Sequence, residues 1–464
     1  MTQAIAASEA ESADIVPKRK HRYIIVLLTA IYALAFVDRQ IMNILAEPIK
    51  NDLGLADWQV GAMSGLVFAI FYTAAIVPMA RLAETKNRVY VLSGVLTLWS
   101  GFTALSGFAT SFLHLIIARL GVGIGEAGCV PSAHSLIADI TPRKKRAAAL
   151  ATFSMGLPIG SLVGLALGGI IEHYFDWRTA FLVVGLPGLL LAALMVLTVR
   201  DPRSKKAVAS LQASQSKEAQ SKEAQSPDTP KDKADVPTFR QTLRDLWSKP
   251  SFAWMTIGAT ILAFAGYGHA TFFASFFLRN HQAELDVMAG FFGLGGGLAF
   301  LGVALGLALG ISGTLGTAIG GRLGDRFAAS SFKGYMHVPL IGTVCGVPLF
   351  VIALLVPSAW LALLLIAFAS LFKSMWFGPV FATIQGLVDP RSRATAVSIF
   401  LLIMNGVGLG LGPLCLGALS DVLTQFFDPS TALRGAMVAT AVIMLGAAFC
   451  FIMARRSTPH TALS

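Results

Sequence analysis

Charge is scarce in this 464-residue chain: Asp, Glu, Lys and Arg make up 13% of it, about half of the ~25% of an ordinary soluble domain. That composition argues against a water-soluble enzyme. Cysteine is scarce too. Cys129, Cys345, Cys415 and Cys450 each stand alone in an apolar stretch, with no paired spacing for zinc or a disulfide framework. They read as small packing residues. The chain has no phosphate-binding glycine loop of the Walker type, no metal-ligand cluster and no nucleophile triad. Gly121 to Gly128 reads GVGIGEAG and imitates a dinucleotide-binding GxGxxG, but it lies inside an apolar run with no βαβ unit around it. The expectation is therefore no cofactor, no metal and no enzymatic activity.

What the chain has is apolar length. AVILMFWYC residues make 55% of it and the mean hydropathy is +0.69. The net charge of +11 would raise nucleic acid as a partner in a soluble protein; in a membrane protein the same excess reports topology instead. A spanning helix needs ~20 mostly apolar residues. Twelve such runs begin near Tyr23, Trp58, Val89, Ser111, Ala147, Thr179, Ser251, Val287, Gly334, Trp360, Ala394 and Gly435. The eighth is too long, since 287–321 as one helix would run ~52 Å; Gly293 to Gly297 is expected to break it before the membrane. With both termini inside, 29 of the 36 Lys and Arg residues fall in cytoplasmic segments, 4 in external loops and 3 within spans, which sets the orientation. The first apolar run continues past Asp38-Arg39 to Ala46, too long for a signal peptide and without a small-residue cleavage site. It is expected to be retained as the first span.

Residues 200–249 switch abruptly to Ser, Lys, Glu, Ala, Gln, Pro and Asp, with a tandem QSKEAQSKEAQ from Gln215. Such a segment has no apolar face to bury and reads as a cytoplasmic linker, disordered or partly helical. The expected organisation is a cytoplasmic tail (1–22), a six-helix bundle (23–199), the linker (200–249), a second six-helix bundle (250–455) and a short cytoplasmic tail (456–464). The two sixes resemble each other. Arg81-Leu82-Ala83-Glu84 after the second span matches Arg322-Leu323-Gly324-Asp325-Arg326 after the eighth. Pro142-Arg143-Lys144-Lys145-Arg146-Ala147 after the fourth matches Pro390-Arg391-Ser392-Arg393-Ala394 after the tenth. Glycines and a proline crowd the fifth span (Gly156, Pro158, Gly160, Gly164, Gly168, Gly169) and the eleventh (Gly406, Gly408, Gly410, Gly412, Pro413, Gly417). A duplication about an axis along the membrane normal is the layout of a rocker-switch transporter with its site between the halves. The small residues fit either sliding contacts or plain tight packing.

These features resemble the major facilitator superfamily over nearly the whole chain: Gly320-Gly321-Arg322-Leu323-Gly324-Asp325-Arg326 is similar to its loop motif, and Ala80 to Arg88 to the N-terminal copy, with Glu84 for an aspartate and Thr85 for a basic residue. The first half looks most like the Spinster family, through Phe36-Val37-Asp38-Arg39, Asp52-Leu53-Gly54-Leu55 and Arg119-Leu120-Gly121-Val122-Gly123-Ile124-Gly125-Glu126-Ala127. The resemblance implies an all-α membrane protein of twelve transmembrane helices in two six-helix halves. It also implies export of amphiphilic lipids such as lysophospholipid or sphingosine-phosphate-like molecules, driven by protons. In the superfamily the loop motif is a latch holding the inner gate shut, which places Glu84, Arg88, Arg322, Asp325 and Arg326 in a conformational role.

An ionisable group within the bilayer costs about a few kcal/mol, so it is normally paired or lines a watery cavity. Asp38 lies ~22 Å along the first span from Tyr23 and Arg119 ~12 Å into the fourth from Ser111, close enough in depth to pair. Arg39, turned ~100° around the helix, either shares that carboxylate or faces the cavity rim. The set reads as a proton-responsive pair or as a permanent structural one. Glu126, two turns from Arg119 on one helix face, is a cavity carboxylate for a cationic or hydroxylated headgroup, a second proton site, or a packing residue. His134 and His269 read as merely hydrogen-bonded. In the second half Lys373, followed by Trp376 and Phe377, lacks a carboxylate at its depth in the C-terminal spans, so its partner is expected across the cavity or in a substrate phosphate or carboxylate, with snorkelling along an aromatic surface as the plainer alternative. Tyr267, Asn405 and Gln385 are supporting polar candidates. The expected protein is a monomeric, proton-coupled transporter of an amphiphilic or organic anion in the plasma (inner) membrane, its partners being that substrate, protons and membrane lipids. The alternatives are an exporter of drugs or small organic acids, a passive lipid scramblase, or a nontransporting receptor.

Overall fold

The computed structural model describes residues 17–142, 145–202, 239–388 and 392–461. Most of the tail at 1–22 and of the linker at 200–249 lies outside the described residues, as do Arg143, Lys144, Pro390 and Arg391 of the paired loop motifs. Among the described residues there is no strand. Twelve helices are long and apolar enough to cross a membrane: α1 (Lys18–Ile44), α2 (Asp57–Thr85), α3 (Arg88–Ser106), α4 (Phe112–Ile140), α5 (Ala148–Tyr174), α6 (Trp177–Thr198), α7 (Pro250–Phe292), α8 (Gly297–Ala328), α9 (Phe332–Leu355), α10 (Ala359–Gly386), α11 (Thr395–Leu423) and α12 (Pro429–Ser457). The first residue of α1 and the last of α12 lie at one end of the bundle, called here the terminal end; the opposite end is the far end.

Most helix starts fall within a few residues of the hydropathy reading, and the departures have local causes. The seventh helix is 43 residues long, which would be ~65 Å if straight, twice a ~30 Å hydrocarbon core. It kinks at His281, whose φ and ψ of −137° and 20° leave the helical region, and 282–292 projects beyond the kink. The run from Val287 therefore belongs partly to α7. The chain reverses through Gly293 and Gly295, both at positive φ, where a side chain would be strained, and α8 begins at Gly297. The twelfth helix starts at Pro429, six residues before Gly435, because Arg434 interrupts the apolar run without interrupting the helix. Asp428 caps it by accepting from the Thr431 amide and from the Ser430 hydroxyl. Those bonds hold its carboxyl below the usual carboxylate range. Asp176 caps α6 in the same way through the Thr179 amide, and its carboxyl is lowered for the same reason.

The repeat persists in the helix breaks. Helix α4 is interrupted between Glu126 and Cys129, and α10 between Ser374 and Phe377. Proline withdraws the amide that would bond the carbonyl four residues earlier; Pro131 releases Ala127 and Pro379 releases Met375, at the two interruptions. Glu126 and Lys373 thus stand just before matched breaks in the two halves.

Glycine sets how closely the helices meet. Gly156, Gly160 and Gly164 face α1 at four-residue spacing, and a Cβ on Gly156 or Gly164 would come 2.8 Å from the carbonyl oxygens of Thr29 or Val37. On the boundary between halves, Gly169 meets Leu298 and Gly302 meets Leu165, joining α5 to α8. Around the pseudo-axis, Gly61 and Gly65 of α2 meet Leu409 to Leu414 of α11, across a π-helical turn at Ala62–Leu66. Gly160→Val is expected to lower the melting temperature and the yield of monodisperse protein, because overpacking costs about 1–3 kcal/mol and here the obstacle is the Ala33 carbonyl. An unchanged melting curve would remove close approach as the reason for the glycine.

Candidate functional site

Two arginine–carboxylate pairs lie between α1 and α4, with Asp38, Arg119 and Glu126 buried and Arg39 partly exposed. Asp38 and Arg119 are 1% and 2% exposed, with Arg119 Nη1 donating to Asp38 Oδ2 at 3.1 Å. Thr103 of α3 donates its hydroxyl to Asp38 Oδ1 at 2.5 Å. Arg119 is not saturated: its Nε and Nη2 are buried with no hydrogen-bond partner among the described residues, and its guanidinium lies 5.6 Å from the Phe181 ring centroid. The second pair follows from the helical geometry. Adjacent residues on α1 point ~100° apart, so Arg39 reaches past Asp38 to Glu126, giving 2.8 Å from Nε and 2.6 Å from Nη2 to Oε2. Glu126 Oε1 has no partner among the described residues. The Arg39 side chain is 27% exposed and sits over the rings of Phe68, Phe36 and Tyr72 at 4.6, 5.2 and 5.2 Å.

Removing charges from water is costly, and attraction offsets the cost only when the remaining lone pairs and protons are also satisfied. Here both pairs leave donors or acceptors unsatisfied, which suits groups that exchange partners. From the second half, Tyr267 donates to Asn405 at 3.2 Å, linking α7 to α11, and lies near enough to Arg39 to interact with it electrostatically. Asp38, Arg39, Arg119, Glu126, Tyr267 and Asn405 are thus gathered where α1, α4, α7 and α11 converge.

Lys373 and Trp376 are placed elsewhere. Lys373 lies against Gly266, inside the second half, and forms no hydrogen bond or ion pair among the described residues. It lines a cavity of ≈ 20 Å³ with His269, Thr343 and Ser370, to which the first half contributes nothing. Trp376 is buried, stacked on Phe377 at 4.1 Å and edge-on to Phe400 at 6.4 Å. His134 packs edge-on against Phe153, and His269 Nε2 bonds to Thr440 and the Met437 carbonyl. Gln385 is exposed near the terminal end, its carbonyl accepting from Arg393.

The loop-motif residues also separate. Arg88 is completely buried and makes ion pairs with Asp201 at 2.5 Å and Asp139 at 2.8 Å, tying the starts and ends of α3, α4 and α6 together within the first half. Asp325 accepts from Tyr335 at 3.0 Å. Among the described residues, Glu84, Arg322, Asp325 and Arg326 make no hydrogen bond or ion pair across the halves.

The far end is bonded across the halves, by residues that hydropathy reading passed over as loop charges. Arg279 of α7 bonds both oxygens of Glu47 at 2.8 and 2.7 Å and both of Asp57 at 2.9 and 2.7 Å. Asp57 also accepts from Lys50 at 2.6 Å and from Ser420 of α11 at 2.7 Å. Asp421 of α11 accepts from the Asp57 and Trp58 amides at 3.0 and 2.8 Å, a carboxylate set on the positive N-terminus of α2. The available signal was positional: Asp57 opens the second span and Arg279 closes the membrane part of the seventh. Thr103 carried no signal, since threonine is ordinary in an apolar span.

Comparison with known proteins agrees with this architecture. The Major Facilitator Superfamily model matches residues 28–403. An MFS-type efflux pump of Mycolicibacterium smegmatis is 32% identical over 97% of this chain and 96% of its own. The spinster protein of Drosophila melanogaster is 25% identical over 88% of this chain and 63% of its own. The crystal structure of a bacterial homolog of the human lysosomal transporter Spinster, in an inward-facing and unoccupied conformation, superposes with a TM-score of 0.80 at 28% identity, covering 97% of this chain and all of that one. The chain is an integral, multi-pass membrane protein that belongs to the Major Facilitator Superfamily of transporters, among its Spinster-like members.

Proposed function

We propose that this transporter is proton-coupled and moves an amphiphilic, lipid-like or organic anionic substrate by rocker-switch alternating access. The observation that carries the reading is the pair of unsaturated arginine–carboxylate contacts between α1 and α4. Asp38 and Arg119 form the proton-responsive pair, and Arg39 joins it through the neighbouring Glu126. Protonation of Asp38 releases Arg119 and deprotonation recaptures it, giving the two-state element a coupled transporter requires. Arg39 within its aromatic ring, Glu126, Tyr267 and Asn405 form the substrate site, offering charge beside apolar surface to a headgroup and its chain. The bundles 23–199 and 250–455 are the two rocking bodies.

The excess of Lys and Arg at the terminal end supports cytoplasmic termini, and the bacterial relatives support an inner-membrane location. In that orientation the bonded far end faces outward, so this is an inward-facing arrangement in which Glu84, Arg322, Asp325 and Arg326 stand apart, as an inner latch does when open. Asp325→Asn is expected to raise the inward-open population, read as longer spin-label distances across the terminal end. An unchanged distance distribution with lost transport would remove the latch role.

The efflux-pump relative favours a second reading, export of drugs or small organic acids. Proteoliposome accumulation under an imposed pH gradient, with lysophospholipids beside cationic dyes and sugar acids, tests both. Selective movement of the lysolipid supports the first reading; movement of dyes or sugar acids alone replaces it with the second.

A further inference from the structure

The cavity around Lys373 has no role in the central site. Its lining comes from α7, α9, α10 and α12 only, and its ≈ 20 Å³ is room for one water-sized body, far too little for an amphiphile or its headgroup. Lys373 and Ser370 are three residues apart and share one face of α10. The Ser370 hydroxyl, like the ammonium, bonds to no protein group among the described residues. Opposite them, the Thr440 hydroxyl donates to the Ala436 carbonyl, so His269 Nε2–H is the donor toward Thr440 Oγ1 at 2.9 Å and the Met437 carbonyl at 3.2 Å. The imidazole is thereby fixed with its other edge free of protein bonds. Its ring lies 4.5 Å from Phe350, which with Phe273, Val347 and Leu262 makes the rest of the wall apolar.

The charged group on this wall is Lys373; no carboxylate lines it. Lys373 is partly buried, and a cation held away from water without a counter-charge either gives up its proton or takes up an anion. Apolar walls raise the value of such a pairing by excluding competing water. The narrow space suits a monoatomic anion better than a polyatomic oxyanion such as phosphate.

We infer that Lys373 and Ser370, facing His269 across this cavity, bind a single chloride-sized monovalent anion inside the second half, separate from the substrate site between the halves. Because Lys373 stands just before the break in α10, as Glu126 does in α4, the bound anion neutralises the second half's counterpart of the Arg39–Glu126 pair. It fixes the α7 and α10 segments against each other through Gly266.

The test uses the full chain in detergent at constant ionic strength, with chloride exchanged for gluconate. Wild type is expected to bind about one radiolabelled chloride per chain and to melt about 2 °C or more higher in saturating chloride. Ser370→Ala should weaken chloride binding several-fold, and Lys373→Met should abolish both the binding and the chloride-dependent shift. Loss of folding in Lys373→Met leaves Ser370→Ala and wild type to decide. No chloride-dependent shift and no bound chloride in wild type would overturn the proposal. Binding unaffected by either substitution would overturn it as well, by placing the ion elsewhere. Weakened binding of acidic substrates to Lys373→Met in chloride-free buffer would assign the cavity to the substrate's own anionic group instead. None of these measurements involves transport or a pH gradient, so their failure leaves the proton-coupled reading untouched.

Discussion

Asp38→Asn is expected to abolish pH-gradient-driven accumulation while leaving the protein folded. The substitution keeps the side-chain volume and a carbonyl oxygen that still accepts from Thr103, which is 2.5 Å from Oδ1 in the wild type. It removes the charge that holds Arg119 Nη1 at 3.1 Å. Arg119 then has no carboxylate of its own, and with Nε and Nη2 already unpaired it turns toward Glu126, two turns along the same helix face. A group that no longer titrates cannot exchange Arg119 between partners, so substrate movement becomes downhill only. Counterflow should survive in this variant. If it still concentrates substrate in response to a pH step as wild type does, the proton site lies elsewhere and Glu126 is the next carboxylate to test.

Arg279→Ala should shift the conformational equilibrium more than any change at the terminal end. Arg279 grips Glu47 and Asp57 together, and both belong to the opposite half. Removing one partner of a buried ionic cluster costs about 3–5 kcal/mol. Here that cost falls on the state in which the far end is closed, so the open-far-end population should rise about a hundredfold or more relative to the closed one. Double electron–electron resonance between labels on the loops preceding α2 and following α7 should report longer distances. Asp421→Asn, which weakens only the bonds to the Asp57 and Trp58 amides, should give a smaller shift in the same direction. Unchanged distances in Arg279→Ala would mean that glycine packing, not the ion pairs, holds this end shut.

The twelve spans and the repeat were legible because the physics behind them is one-dimensional: apolar run length and loop charge survive in any linear reading. Pairing across helices was legible where depth was enough to decide it. Depth alone brought Asp38 to Arg119, but the partner of Arg39 depended on which way a ~100° turn pointed, and it points to Glu126. Lys373 shows where such reasoning stops. Its depth suggests a place opposite the substrate, and packing decides which face of α10 it occupies: it lies against Gly266 and lines a cavity formed within the second half. Arg88 reads as part of the loop-motif latch; the structure buries it within the first half because Asp139 and Asp201, distant in sequence, converge on it. The far-end cluster was illegible for a related reason. Its bonds across the halves join residues 222 to 364 apart, and nothing local distinguishes Arg279 from an ordinary charge at a helix end.

The measurement closest to the central claim is simultaneous recording of substrate flux and internal pH in proteoliposomes containing the wild-type protein. With no pH gradient imposed at the start, an inward substrate gradient alone should drive proton movement, seen as a change in an entrapped pH-sensitive dye that follows substrate flux and is missing in Asp38→Asn. Substrate flux at the wild-type rate with no change in internal pH would contradict proton coupling through the Asp38–Arg119 pair.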